Sequence, residues 1–181
     1  MKVLAISGSL RKASYNTALI HAAQKIAPAG MEIELAEISG IPVYNDDVYQ
    51  QGFPEAVLRF KAQIVGADAL LISTPEYNYS IPGSLKNAID WASRPPGQPF
   101  SNKPIAIMGA TMGIMGTSRA QYHLRQVLTG LNAHVVNKPE VMVSTAQTKF
   151  DEQGNLTDEA TRGFLLQLLV SLQTWTTRLH E

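Results

Sequence analysis

The chain has 181 residues, enough for one domain with a continuous core, and its 15 Lys plus Arg offset 15 Asp plus Glu. That balance gives no electrostatic reason to expect nucleic acid or an anionic membrane as partner, and the absence of cysteine excludes thiol catalysis, disulfides and thiolate metal sites. The opening Met1-Lys2-Val3-Leu4-Ala5-Ile6 turns polar at Ser7, too soon for a secretory leader, and no apolar run approaches the roughly 20 residues of a membrane span, so a cytoplasmic protein is expected.

Val3 to Ser7 is a short apolar run without helical spacing and reads as a strand, while Leu19, Ile20, Ala23 and Ile26 share one face of the helix that follows. Glu32 to Ile38 alternates Ile33 and Leu35 with charged residues, as a half-covered strand does, and Val57, Leu58, Ile64 and Val65 mark a helix after Pro54. Ala69 to Ser73 is a continuous apolar run, the pattern of a central parallel strand covered on both faces. Leu85, Ala88, Ile89 and Ala92 form another helical stripe, Ile105 to Met108 another strand, and Leu124, Val127, Leu128 and Leu131 another helix. His134 to Val136 and Val141 to Val143 read as pieces of a fifth strand, and Leu165, Leu168, Leu169, Leu172 and Leu179 line a closing helix. The stretch Ser93 to Lys103, with Pro95, Pro96, Gly97 and Pro99, reads as a loop rather than a linker, so residues 1–181 are expected to form a single domain. Strand followed by helix, repeated along the chain, predicts a doubly wound α/β fold with five parallel strands and helices on both faces.

In such sheets ligands lie outside the carboxyl ends of the strands, where the winding reverses. Three polar loops, Ser7 to Asn16, Thr74 to Gly83 and Gly109 to Ser118, each follow a strand and are expected to meet there. The first carries Ser9, Ser14, Asn16 and Thr17 as short donors around Arg11, whose guanidinium can fork onto two phosphate oxygens, all at a helix start. Taken alone, Ser14 or Asn16 also reads as an N-cap and Arg11 as a solvated surface charge. The dinucleotide fingerprint G-x-G-x-x-G and the lysine loop G-x-x-x-x-G-K-[ST] are both missing, which argues against a dinucleotide fold and nucleotide triphosphate hydrolysis. The first and third strands run out into Ser7 and Thr74 rather than a carboxylate, which argues against a metal-dependent phospho-accepting domain. A hydroxyl-rich loop with one arginine suits a dianionic terminal phosphate such as that of FMN.

The second loop, with Pro75, Glu76, Tyr77 and Asn78 followed by Tyr79, Ser80, Ile81, Pro82 and Gly83, is stiff, aromatic and polar enough to press a flat heterocycle and bond its edge. Without its neighbours it reads equally as a turn with tyrosines in the core. The third, through Thr111, Met112 and Gly113, leaves little side chain in the way of a ring. His21, His123, His134 and His180 show no ligand spacing, so no metal is expected, and Trp91 and Trp175 are expected to be packing residues.

The segments Gly8 to Asn16, Pro75 to Trp91 and Gln121 to Arg125 resemble the NAD(P)H-dependent FMN reductases, and more narrowly the bacterial quinone and chromate reductase branch of that flavodoxin-like family. The resemblance implies strand order 2-1-3-4-5, bound FMN, and NADPH or NADH as hydride donor in a ping-pong cycle. It also implies two-electron delivery to quinones, chromate, azo compounds or free flavin, and self-association as homodimer or homotetramer. Carried over by position, it puts the FMN phosphate against Ser9, Arg11, Ser14, Asn16 and Thr17. The isoalloxazine lies against Pro75, Glu76, Tyr77 and Asn78, with Thr111, Met112 and Gly113 nearby. No protein acid or base is assigned, since hydride chemistry belongs to the flavin. Two departures stand out: Ala13 where glycine is frequent, and Tyr15 where phenylalanine is frequent. Glu76 beside a ring that gathers negative charge on reduction is expected to turn away, toward Lys86 or a neighbouring subunit. The alternatives are a flavodoxin-type electron carrier without its own reductase activity, against which the net charge of zero argues, and a non-redox phosphate-binding module.

Overall fold

The computed structural model describes residues 1–181. Along the chain run β1 (Lys2–Ser7), α1 (Tyr15–Lys25), β2 (Glu32–Leu35), α2 (Asp46–Tyr49), α3 (Glu55–Gly66), β3 (Ala69–Ser73), α4 (Gly83–Ala92), β4 (Pro104–Ala110), α5 (Ser118–Gly130), β5 (His134–Val135), β6 (Val141–Val143) and α6 (Glu159–His180). All strand pairs are parallel, in the order β2-β1-β3-β4-β5, with β6 also on β4. This is the flavodoxin-like order that the family resemblance implies. The winding turns back at β1, which pairs with β2 on one side and β3 on the other, and that reversal opens the crevice between the ends of β1 and β3.

The strand period of two sorts the core into two layers. Leu4, Ile6, Leu70, Ile72, Ile105 and Ile107 pack against α3, α4 and α5 through Phe60, Ile64, Leu85, Ile89, Leu124 and Leu128. On the opposite face Val3, Ala5, Leu71, Ala106 and Met108 meet Leu19 and Ile20 of α1 and Leu165, Leu169 and Leu172 of α6. β3 and β4 are buried along their whole length, whereas β2 buries only Ile33. That is the difference between central and edge strands.

The pieces of the expected fifth strand are two separate strands on the same neighbour. Pro104 and Ile105 pair with His134 and Val135, and Met108 to Ala110 pair with Val141 to Val143. Pro139, lying between them, has no amide hydrogen to give to a ladder. The short α2 was not visible in the hydrophobic pattern, because none of its residues is buried and it is begun by the Asn45 cap, whose Oδ1 accepts the Asp47 N–H at 2.9 Å. Trp91 is fully buried and donates its indole N–H to the Pro42 carbonyl at 2.8 Å, and Trp175 donates to the His134 carbonyl at 3.2 Å. Both are packing residues. No helix is long and apolar enough to cross a membrane.

Candidate functional site

The three polar loops meet at the carboxyl edge of β1, β3 and β4. The Gly8 N–H donates to the Ser73 carbonyl at 2.8 Å, the Thr74 N–H to the Met108 carbonyl at 2.9 Å, and the Ser84 hydroxyl to the Gly8 carbonyl at 3.2 Å. Gly8 packs closely on the second loop: a Cβ there would stand 3.1 Å from Pro75 Cδ and 3.3 Å from Leu85 Cδ2, a tight fit. The beginning of the first loop therefore lies directly on the second.

In the first loop Ser14 caps α1, its Oγ accepting the N–H groups of Asn16 at 3.2 Å and Thr17 at 3.3 Å. Its own hydroxyl hydrogen stays available. The amides of Leu10, Lys12, Ala13, Ser14 and Tyr15 have no acceptor within the chain, and they cluster at the positive end of a helix. Arg11 is exposed, pairs with no carboxylate and lies over the Tyr15 ring, 5.7 Å from Cζ to the centroid. Ser9 Oγ accepts the Arg11 N–H at 3.4 Å, and the Thr17 hydroxyl lies 2.9 Å from that of Ser7. A hollow of about 370 Å³ runs beside the loop, lined by Arg11, Lys12, Ser14, Tyr15 and Thr17 and also by Asp151 and Glu152. Ala13 lies outside the left-handed region, so its methyl group causes no strain. Open amides, hydroxyls and an unpaired guanidinium form a donor set that fits a phosphate monoester.

Asn16 differs from its expected role. It is buried; Nδ2 donates to the Ala110 carbonyl at 2.9 Å, and Oδ1 accepts the Ala110 N–H at 2.9 Å and the Ser73 hydroxyl at 3.0 Å. Its amide ties α1 to the ends of β3 and β4, so it frames the loop instead of offering a free side-chain donor.

The second loop holds a tight turn. Tyr77 donates to the Ser80 carbonyl at 2.9 Å and Ser80 returns a bond at 3.0 Å, with Asn78 (φ 48°) and Tyr79 (φ 68°) left-handed between them. A two-residue turn of this kind favours asparagine then glycine at such positions, so Asn78 fits and Tyr79, where glycine is preferred, costs about 1 kcal/mol or more. The Asn78 and Tyr79 amides have no acceptor, and both tyrosines are exposed. Pro75 is buried at the start of the loop.

Glu76 turns away, but to a different partner from either expected one. Lys86 pairs with Asp90 one turn along α4, at 2.8 Å. The Glu76 carboxylate instead accepts the N–H groups of Arg119 at 3.1 Å and Ala120 at 3.3 Å and forms an ion pair with the Arg119 guanidinium. The reason lies in α5. Its first residue follows Thr117, left-handed at φ 67° and giving no side-chain cap, so the leading amides are open and a carboxylate from another loop fills them.

In the third loop Thr111 donates to the Val143 carbonyl at 2.9 Å and Gly113 to the Thr111 hydroxyl at 3.3 Å, while Met112, Ile114 and Met115 stand exposed. Gly109 beneath has no room for a Cβ, which would fall on the Thr117 side chain and the Thr74 carbonyl. With Leu10 and Tyr77, also exposed, these residues give the loop edge an apolar rim.

Over residues 1–148 the sequence matches the family described as NADPH-dependent FMN reductase. The chain belongs to that family. It is 63% identical over 180 residues to an NAD(P)H-dependent FMN reductase of Pseudomonas aeruginosa, covering 99% of this chain and 97% of the relative. It is 50% identical over 164 residues to a quinone reductase of Escherichia coli, covering 89% and 87%. Among solved structures, a flavoenzyme NAD(P)H:(acceptor) oxidoreductase from Paracoccus denitrificans superposes with a TM-score of 0.89 at 39% identity, covering 98% of this chain and 97% of that one. This family member is accordingly an oxidoreductase that works with FMN and NAD(P)H. Arg119 was not foreseen as part of the site. The one available sign was a carboxylate in the second loop with no cation at helical spacing inside that loop.

Proposed function

We propose that the chain holds FMN with its phosphate on the first loop and its ring system against the second and third, takes hydride from NAD(P)H and delivers two electrons to quinones. The observation that carries this reading is the set of five open amides beside an unpaired Arg11 at the start of α1. Each hydrogen bond to a charged group is worth about 1.5 to 3 kcal/mol, so such a set is a strong anion receptor. Ser9, Arg11, Ser14 and Thr17 would hold the phosphate; Pro75, Tyr77 and Asn78 would hold the ring, Thr111, Met112 and Gly113 would close on it, and Glu76 would act from behind through α5. Bound there, FMN supplies the hydride chemistry itself.

The chain's own residues orient, neutralise and exclude water. The open amides of Asn78 and Tyr79 are donors for a carbonyl-bearing heterocycle edge. The charge of Glu76 is compensated by Arg119 and two helix amides, so it does not oppose electron uptake nearby. Leu10, Tyr77, Met112 and Ile114 offer an apolar rim to a flat acceptor. The quinone reductase at 50% identity supports quinones as the acceptor class, with chromate, azo compounds and free flavin as further candidates. Self-association as a homodimer or homotetramer would use the α5 face that carries Tyr122, His123 and Arg125, read by light scattering at micromolar concentration; a monomer would remove that part. Both core layers share one sheet, which supports a single domain over residues 1–181.

The test is spectroscopic. NADPH alone should bleach the visible absorbance of the FMN-loaded protein, a quinone should restore it, and double-reciprocal plots should be parallel. A protein that stays coloured with NADPH until a partner protein is added would be a carrier instead. A preparation that refuses FMN would be a non-redox module.

A further inference from the structure

The turn from Tyr77 to Ser80 is held from outside itself. Its backbone is costly at Tyr79, left-handed where glycine is preferred, and its two internal hydrogen bonds span only four residues. Three contacts reach it from α5. Glu76, immediately before the turn, accepts from the Arg119 and Ala120 amides; the Arg119 guanidinium lies 3.6 Å from the centre of the Tyr79 ring; and His123 Nδ1 is 3.0 Å from the Ser80 hydroxyl. Glu76 is at the hub, for its side chain is 8% exposed and pairs with the same guanidinium that stacks on Tyr79. Arg119 keeps this place although its Nε is buried without an acceptor.

From this geometry we infer that Glu76 is a positioning residue: through Arg119 and the start of α5 it fixes the left-handed turn before any ligand arrives, so that the open amides of Asn78 and Tyr79 are presented ready-made. The inference rests on the FMN reading of the second loop. Pre-ordering matters because a turn that had to be frozen on binding would lose that ordering entropy from its affinity. Asn78 suits its left-handed position, but Tyr79 gives the turn no local reason to hold the second one. The strut replaces that missing local preference with a clamp across 43 residues of chain.

The test uses Glu76→Gln, which keeps the size of the side chain and removes its charge, and Arg119→Met, which removes the guanidinium from Tyr79 but leaves the carboxylate on the helix amides. Hydrogen exchange on the FMN-free proteins reads the turn directly. The Tyr77 and Ser80 amides should exchange about tenfold faster in Glu76→Gln and severalfold faster in Arg119→Met, with β3 and β4 protected as in the wild type. FMN affinity, followed by flavin fluorescence, should fall about tenfold in Glu76→Gln, and the visible circular dichroism of the bound flavin should change. Inorganic phosphate should compete as before, since Arg11 and its loop are untouched. Unchanged turn exchange and unchanged FMN affinity in both variants would overturn the inference. Exchange that rises throughout the sheet would also overturn it, by giving Glu76 a merely structural role. A wild type that binds no FMN would overturn the functional reading as well, so the two failures are distinguishable.

Discussion

Arg11→Ala separates a ligand-binding charge from a structural one. The guanidinium has no carboxylate partner and lies over the Tyr15 ring at 5.7 Å. An exposed contact of that kind contributes about 0.5 to 1 kcal/mol, so the FMN-free protein should lose little stability. On FMN binding the same guanidinium can fork onto two phosphate oxygens, which predicts a loss of about 1.5 to 3 kcal/mol, or roughly 10- to 150-fold in Kd. The five open amides and the helix start remain, so binding should weaken rather than vanish. The assay is fluorescence titration with FMN and, in parallel, with riboflavin, which lacks the phosphate. FMN affinity should fall and riboflavin affinity hold, and the difference should shrink in high salt because the Debye length drops from about 10 Å at 0.1 M to about 3 Å at 1 M. An unchanged FMN constant, or an equal loss for riboflavin, would refute the reasoning.

Asn16→Ala should behave oppositely: it leaves the Ala110 amide and carbonyl and the Ser73 hydroxyl without buried partners, costing about 3 kcal/mol or more in urea unfolding of the FMN-free protein. Unaltered stability would return Asn16 to the status of a free donor. Gly109→Ala should destabilise by about 3 kcal/mol, since the methyl group would fall on the Thr117 side chain and a backbone carbonyl that cannot swing away; a normal thermal midpoint would show that the loops are packed more loosely than described. Asp158 caps α6 by accepting from Thr161, whose hydrogen bonds hold its carboxyl below the usual range. Its folded pKa is thus lower than its unfolded one, so the cap acts in full above the unfolded value and is lost as pH falls through the folded value. Stability followed down through the acid range should therefore decline less steeply in Asp158→Ala than in the wild type, and parallel curves would count against it.

The strands were legible because burial on one or both faces writes itself into spacing, with Leu70, Leu71 and Ile72 marking a central strand and Glu32-Ile33-Glu34 an edge, whereas their order came from the family resemblance. The gathering of three loops followed from the winding rule, and Gly8 against Pro75 is its direct expression. What the sequence hid is long-range pairing of short polar groups. Nothing near Asn16 says that its amide is committed to Ala110, 94 residues away, rather than to a ligand. Nothing near Glu76 points to Arg119, because the cause, an uncapped helix after a left-handed Thr117, is a property of backbone angles and not of composition. α2 escaped for the complementary reason that it buries nothing.

The broken strand beside β4 also bears on how copies of the chain meet. A sheet margin invites templating by a foreign strand when it offers a long, regular row of unmatched backbone groups. Here one margin is a two-residue and a three-residue fragment interrupted at Pro139, and the other carries Glu32 and Glu34. Neither side offers the long regular row of backbone groups that would seed intermolecular ladders, and the interruption that splits β5 from β6 is what shortens one of them.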